Sequence, residues 1–330
     1  MLKLFFSAVL LAIYLGAGSA VAQEPVLLLP YFDSNGENGV YLAWSEDGRE
    51  FHAVNSNEAI FTPPAWKNQS LTRDPSIVYH DGRFHMVWTS NWKGEVFGYA
   101  SSPDLKSWSE PLMIEPWRGE GEKPNNVWAP EICWDHVADE FKVVWSSTLP
   151  SELADGDGND DRHGGDHRMY YLTTTDFQQF SDPQPIFEGR DEDLIDAHLV
   201  FDAEGDRWVM NYKKEVSAAR GGKNIRLAFS PPEITPRSFS DAGGPIVGQG
   251  TSISPMNAEG SSLVPWRGEW LLYWDSYSNR HYSMASSSDL QEWSDESDQL
   301  RMPVRHPRHG TVFIADRENI GWELTKSSDE

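Results

Sequence analysis

One segment, a strand, a turn and a second strand, returns along this chain four times and then in part. The full copies open at Asp74, Glu131, Asp196 and Glu259, and a shortened one opens at His309. In each full copy a short apolar run meets a polar or Gly-containing turn and then a second apolar run, the pattern of a β-hairpin. Hairpins in series, roughly 60 residues apart, predict a repeat architecture in which each unit buries its face against the next.

A second recurring signature follows the first. Ser45, Asp47 and Phe51 share their spacing with Ser102, Asp104 and Trp108, with Thr174, Asp176 and Phe180, and with Ser287, Asp289 and Trp293; a lengthened copy runs from Ser230 to Phe239. Each follows a strand. The spacing predicts an Asp-capped turn and an aromatic ring tucked under the next strand. Hairpin and signature together give about four strands per unit, the content of a propeller blade.

The two ends of the chain complement one another. The stretch from Pro25 to Asn55 carries the signature without a hairpin start, and the stretch from His309 carries the start without a signature. Joined, they complete a fifth blade and leave no free edge strand. The expected fold is all-β: a five-bladed β-propeller of four antiparallel strands per blade, with the N-terminal segment paired to the strand near Val312.

Residues 1–22 hold one Lys, an apolar run and an Ala-Val-Ala ending before Gln23. That pattern reads as a signal peptide cleaved after Ala22, which implies a secreted or periplasmic protein. Residues 23–330 are then expected to form one propeller domain. The apolar run is short for a membrane span and no Cys adjoins the cleavage point, so no membrane anchor is expected. A formal net charge of −24 and no visible Lys/Arg cluster exclude nucleic acid as a partner. The single cysteine, Cys133, has no internal partner and is read as a buried structural thiol.

In a propeller the first strand of every blade runs along the central axis in one direction, so residues at equivalent starts gather at one mouth. Asp74, Glu131, Asp196, Glu259 and His309 are assigned to that position. Carboxylates crowded in a water-filled funnel titrate apart, one raised by repulsion while another is held down by cations and hydrogen bonds. Glycosidic cleavage uses such a pair, a protonated acid and an ionised base. An acidic cluster can also bind a cation, and the residues alone leave both readings open.

Arg73-Asp74-Pro75, Trp128-Ala129-Pro130-Glu131, Ile195-Asp196-Ala197, Glu259-Gly260 and His309-Gly310 together resemble the ordered landmarks of glycoside hydrolase family 43. These are five-bladed propeller enzymes that hydrolyse arabinosides, xylosides and related sugars with inversion. The resemblance implies that Asp74 is the general base, Asp196 the carboxylate that orients the acid and raises its pKa, and Glu259 the general acid. It gives Glu131 a wall or hydrogen-bonding role and makes His309 the axial histidine beside a bound water or cation such as Ca2+. No other cofactor is implied. Ser261 and Ala197 stand where the family often has Pro, so loop shape, and with it the sugar, is not transferable.

Around this trio, Arg73 is a candidate to steady the base or bind a hydroxyl, Trp92 and Trp128 to stack on sugar, and His198 to join the substrate or a polar network. Lys213 and Arg226 are weaker candidates on later strands of the same unit. The run from Asp155 to His167 lacks the Gly and Glu of an EF-hand loop and is read as a solvated loop overhanging the mouth, not as a metal site. The function expected is removal of terminal pentose, arabinofuranoside or xyloside, from oligosaccharide or polysaccharide. A β-fructosidase is the neighbouring alternative, but its Asn-Asp-Pro-Asn-Gly context is missing here. A sugar-binding propeller without catalysis is the other.

Overall fold

The computed structural model describes residues 24–150, 167–188, 193–255 and 258–326. Residues 1–22, expected from sequence to be a leader, and most of the acidic run after Asp155 lie outside the described residues. Five antiparallel sheets make up the fold.

The closing blade holds β1 (Val26–Tyr31), β2 (Tyr41–Ser45) and β3 (His52–Ala53). The first blade holds β4 (Arg73–His80), β5 (Arg83–Thr89), β6 (Phe97–Ser102) and β7 (Leu112–Ile114). The second holds β8 (Trp128–Asp135), β9 (Glu140–Ser147), β10 (Arg168–Thr174) and β11 (Gln184–Pro185). In the third, β12 (Leu194–Asp202), β13 (Arg207–Glu215), β14 (Lys223–Ser230) and β15 (Ser240–Asp241) are joined by β16 (Val247–Gly248) on β14. The fourth holds β17 (Glu259–Trp266), β18 (Glu269–Ser276), β19 (His281–Ser287) and β20 (Ser294–Asp295).

Ring closure follows the complementarity of the chain ends. The last strand, β21 (Phe313–Ala315), pairs antiparallel with β1, Leu28 opposite Phe313 and Val26 opposite Ala315. One sheet is thus stitched from both termini. The signature turns form as their spacing predicts: Asp47, Asp104, Asp176 and Asp289 each accept two backbone N–H groups from the residues that follow, satisfying donors the turn would otherwise leave bare.

Five apolar clusters fill the five interfaces between neighbouring blades. One interface sets Trp88 and Phe84 of β5 against Leu42 and Trp44 of β2, and another sets Leu272 and Trp274 of β18 against Val209 and Ile225 of the third blade. Trp44, Trp88, Trp145 and Trp274 are among the most deeply buried side chains, so these Trp are core rings and not sugar platforms. Cys133 is buried in the interface between the second and third blades, and burial pushes its thiol pKa up.

Candidate active site

The inner strands do not start as plain strands. In β4, β8, β12 and β17 the pairing to the second strand slips by a bulge near the strand start, between Arg73 and Ser76, Trp128 and Glu131, Ile195 and His198, and Glu259 and Ser262. The first bulged residue has positive φ in every case: 50° at Asp74, 45° at Ala129, 56° at Asp196 and 56° at Gly260. For the non-Gly residues this costs about 1–3 kcal/mol each and re-aims the side chain towards the axis. Pro75 and Pro130 sit on the second bulged residue, where no ladder N–H is needed.

This register corrects the equivalence assigned from sequence. Asp74 and Asp196 occupy the same blade position, but Ala129 and Gly260 stand there in the second and fourth blades. Glu259 comes one residue before the bulge and Glu131 falls after it. The correction separates two layers. At the mouth, Arg73, Asp74, Thr89, Trp92, Trp128, Ile195, Asp196, Glu259 and His309 line a narrow pocket of ≈ 70 Å³. Glu131 and His198 are not part of that lining. A larger cleft of ≈ 700 Å³, between the third and fourth blades, shares no residue with the pocket and holds none of these carboxylates.

Glu131 and His198 belong to a polar ring beneath the mouth. Ser76 Oγ accepts the Ile132 N–H at 3.2 Å, His198 Nδ1 accepts the Leu263 N–H at 3.3 Å and Ser262 Oγ accepts the Val312 N–H at 3.1 Å. Glu131 likewise accepts the Leu199 N–H. Each inner strand thereby holds the next through one side chain after its bulge. Burial pushes the Glu131 carboxyl up to about 8 and pulls the His198 imidazole down to about 4. The two lie 3.8 Å apart as a neutral pair, which suits a structural element.

In the pocket the charges run the other way. His309 Nδ1 lies 3.2 Å from Asp74 Oδ1 and 4.0 Å from Asp196 Oδ1. Burial disfavours the His309 cation, but Asp74 and then Asp196 outweigh it and raise the pKa to about 9. Burial also opposes the charge on Asp74, and His309, Arg73 and the Thr89 hydroxyl overcome it, holding that carboxyl well below the usual range. Asp196 is raised, by burial first and by Glu259 and Asp74, against the pull of His309 and Lys213. Its Oδ2 accepts the Gly260 N–H at 3.0 Å, which fixes the backbone next to Glu259. Gly260 has no room for a side chain: a Cβ would lie 2.3 Å from His309 Cγ.

Among the described residues no group of three or more His, Cys, Asp or Glu is placed to hold a metal ion.

The His309 pair gives a pH prediction. A pKa raised to about 9 from about 6.5 in the unfolded chain means that stability is fully present below about 6.5 and lost as pH rises through about 9. Asp74, depressed, contributes above about 4 and loses its contribution as pH falls towards its folded value. Wild type should therefore lose about 2–3 kcal/mol of unfolding free energy between pH 7 and pH 10 that His309→Gln does not lose. Urea denaturation of both proteins at the two pH values measures it, and parallel pH curves would refute the pairing.

Glu259 sits between two cations. Lys213 Nζ donates to Oε2 at 3.2 Å, and Arg308 Nη2 donates to Oε1 at 2.9 Å. Lys213, 2% exposed, also meets Glu215 at 2.7 Å; Arg308 Nε donates to Asp275 Oδ2 at 2.5 Å. Arg73 takes no part in this network. Its guanidinium packs 4.1 Å from the Trp92 ring centre and donates to Asn35 Oδ1 at 3.1 Å. Trp92 is 42% exposed, stands edge-on to Trp128 at 5.7 Å and donates its own Nε1–H to Asn35. Arg226 pairs with Asp241 on β15, away from the pocket.

Sequence reading missed Arg308, Asp275 and Thr89. A signal for two of them was present. Trp88-Thr89, Trp145-Ser146, Tyr212-Lys213 and Trp274-Asp275 are matching dipeptides late in the second strand of each hairpin. Register sets Thr89, Ser146, Lys213 and Asp275 opposite Arg73, Trp128, Ile195 and Glu259. The residue after the core aromatic therefore lies at the mouth end of its strand in all four blades. Arg308 had no comparable repeat to mark it.

A funnel-mouth pocket with three acidic side chains on a five-bladed ring defines the class of propeller glycoside hydrolases. A family model described as "Probable glycosyl hydrolase domain", related to glycoside hydrolase family 43, matches residues 25–320. The chain belongs to that family. Among solved structures it is similar to a thermostable family-43 glycoside hydrolase, at 15% identity and TM-score 0.55, covering 73% of this chain and 81% of the other. It is also similar to an α-L-arabinofuranosidase from Lactobacillus brevis, at 18% identity and TM-score 0.53, covering 73% and 78%. An exo-β-1,3-galactanase from Phanerochaete chrysosporium matches at 13% identity and TM-score 0.50, covering 71% and 53%. At such identities the likeness is one of fold. A comparison with curated protein sequences finds no match.

Proposed function

We propose that this chain is an exported, inverting glycoside hydrolase that removes terminal pentose, arabinofuranoside or xyloside, from oligosaccharide or polysaccharide. The observation that carries the proposal is the grouping of Asp74, Asp196 and Glu259 in one narrow pocket with distinct electrostatic surroundings. Asp74 is kept ionised beside His309 and takes a proton from the attacking water. So low a pKa makes it a weak base in isolation, so its contribution comes from position against the sugar. Glu259 first takes up a proton on an oxygen that has turned from Lys213 or Arg308, and then gives that proton to the departing oxygen. Asp196 holds the Gly260 backbone and so sets where Glu259 points.

A recess this small suits a chain end and not the middle of a polymer. Trp92 and Trp128 form the apolar rim against which a sugar face can rest. The leader-like residues 1–22 support export. A panel of 4-nitrophenyl pentosides and hexosides, followed by proton NMR of the first-formed product, tests the reading. The expected result is cleavage of an arabinofuranoside or xyloside to a product of inverted anomeric configuration. A retained configuration would remove the assigned roles, and cleavage of hexosides alone would remove the pentose.

A further inference from the structure

A second pocket opens on the same face, on the Glu259 side. It has a volume of ≈ 360 Å³ and is lined by Tyr31, Asp33, Tyr41, Asn57, Arg280 and His306, with Ser34 and Val304. Topology fixes its placement. β17 starts at the mouth with Glu259, so β18 ends there at Ser276 and the turn carrying Arg280 lies at the mouth. β1, antiparallel to β21, ends there at Tyr31, and β2 begins there at Tyr41.

Arg308 links the two pockets. Its Nη2 donates to Glu259 while its Nη1 reaches the carbonyl of Ser34, at 3.5 Å, on the wall of the second pocket. Asp74 meets His309, Arg73 and Thr89 instead. Since Glu259 protonates the departing oxygen, the portion of substrate beyond the cleaved bond lies on its side.

The lining has the two chemistries a sugar needs. Buried Tyr31 backs the half-buried Tyr41 ring, the two stacked at 5.5 Å with their planes 20° apart, so Tyr41 gives the pocket its flat apolar surface. Asp33 and Asn57 offer acceptors, and the exposed Arg280 guanidinium has no ion-pair or hydrogen-bond partner among the described residues. In a chain of net charge −24 an uncommitted Arg on the rim of a pocket is a donor held ready for hydroxyls. The volume falls within the range of small-ligand sites.

We propose that this pocket binds the leaving-group side of the substrate, a neutral sugar one or two residues beyond the cleaved bond. The proposal rests on the hydrolase reading above, and its test separates the two. For wild type, Tyr41→Ala and Arg280→Ala, kcat/KM is measured on xylotriose or arabinotriose and on the 4-nitrophenyl glycoside of the same sugar. The ratio of trisaccharide to aryl glycoside should fall about tenfold or more in both variants, and Tyr41→Phe should restore it. An unchanged ratio overturns the proposal. If wild type cleaves neither compound, the hydrolase reading fails, and titration calorimetry with the trisaccharides decides the pocket. Weakening of about tenfold in both variants supports it; equal affinities, or no binding to wild type, overturn it.

Discussion

Asp74→Asn is expected to lower kcat/KM about 10³–10⁴-fold on every substrate the enzyme cleaves, whatever the leaving group, because activation of water is needed for each. Glu259→Gln is expected to behave differently. On an oligosaccharide, whose departing alkoxide needs a proton, the loss should be about 10²–10⁴-fold. On a 2,4-dinitrophenyl glycoside, whose leaving group departs unprotonated, it should shrink to about tenfold. Steady-state kinetics across leaving groups of graded acidity gives the two slopes. If Glu259→Gln is equally impaired at both extremes, Glu259 is not the acid. Thermal unfolding of both variants checks that folding is retained, since Asn at position 74 also removes the partner of the His309 cation.

Lys213→Met should destabilise the fold by about 3–5 kcal/mol. The ammonium is 2% exposed and bridges Glu259 and Glu215. Burial disfavours its charge, but Glu259, Glu215 and Asp196 outweigh it and hold its pKa well above the usual value. Removing it leaves two partly buried carboxylates across an apolar side chain, Glu259 held by Arg308 alone and Glu215 by Lys223, each short of one cation. A second substitution, Glu215→Gln, should restore part of the loss by removing one of those charges. Urea midpoints of wild type, single and double variants measure this. A single variant as stable as wild type would show that desolvation of the ion pairs cancels their attraction.

Blades and closure were legible because hairpin strands alternate and turns use a small vocabulary, so each copy announced itself locally. The register of the inner strands was not, because a bulge adds a residue without a fixed sequence mark. Asp-Pro, Ala-Pro, Asp-Ala and Gly-Ser all occupy the same two bulged positions. Aligning copies on ionisable residues therefore shifted Glu131 and Glu259 against Asp74 and Asp196. The mouth residues of the second strands were encoded in the dipeptides that follow the core aromatic. Arg308 depends on contacts with Asp275, Glu259 and Ser34, and nothing local indicates those contacts. Charge state was the least legible feature, since His309 becomes cationic only through Asp74 and Asp196, brought from other blades.

The stitched blade also sets an order of events during folding. His309 leads directly into β21, which has no sheet to join until β1, made four blades earlier, is in place beside it. Strand β1 must wait, its axial edge bare, until the four intervening blades and β21 have emerged, and such a distant pairing is slow to form. Catalytic competence should thus be the last property a newly made molecule acquires, and the recovery of turnover during refolding would time the moment at which the circle shuts.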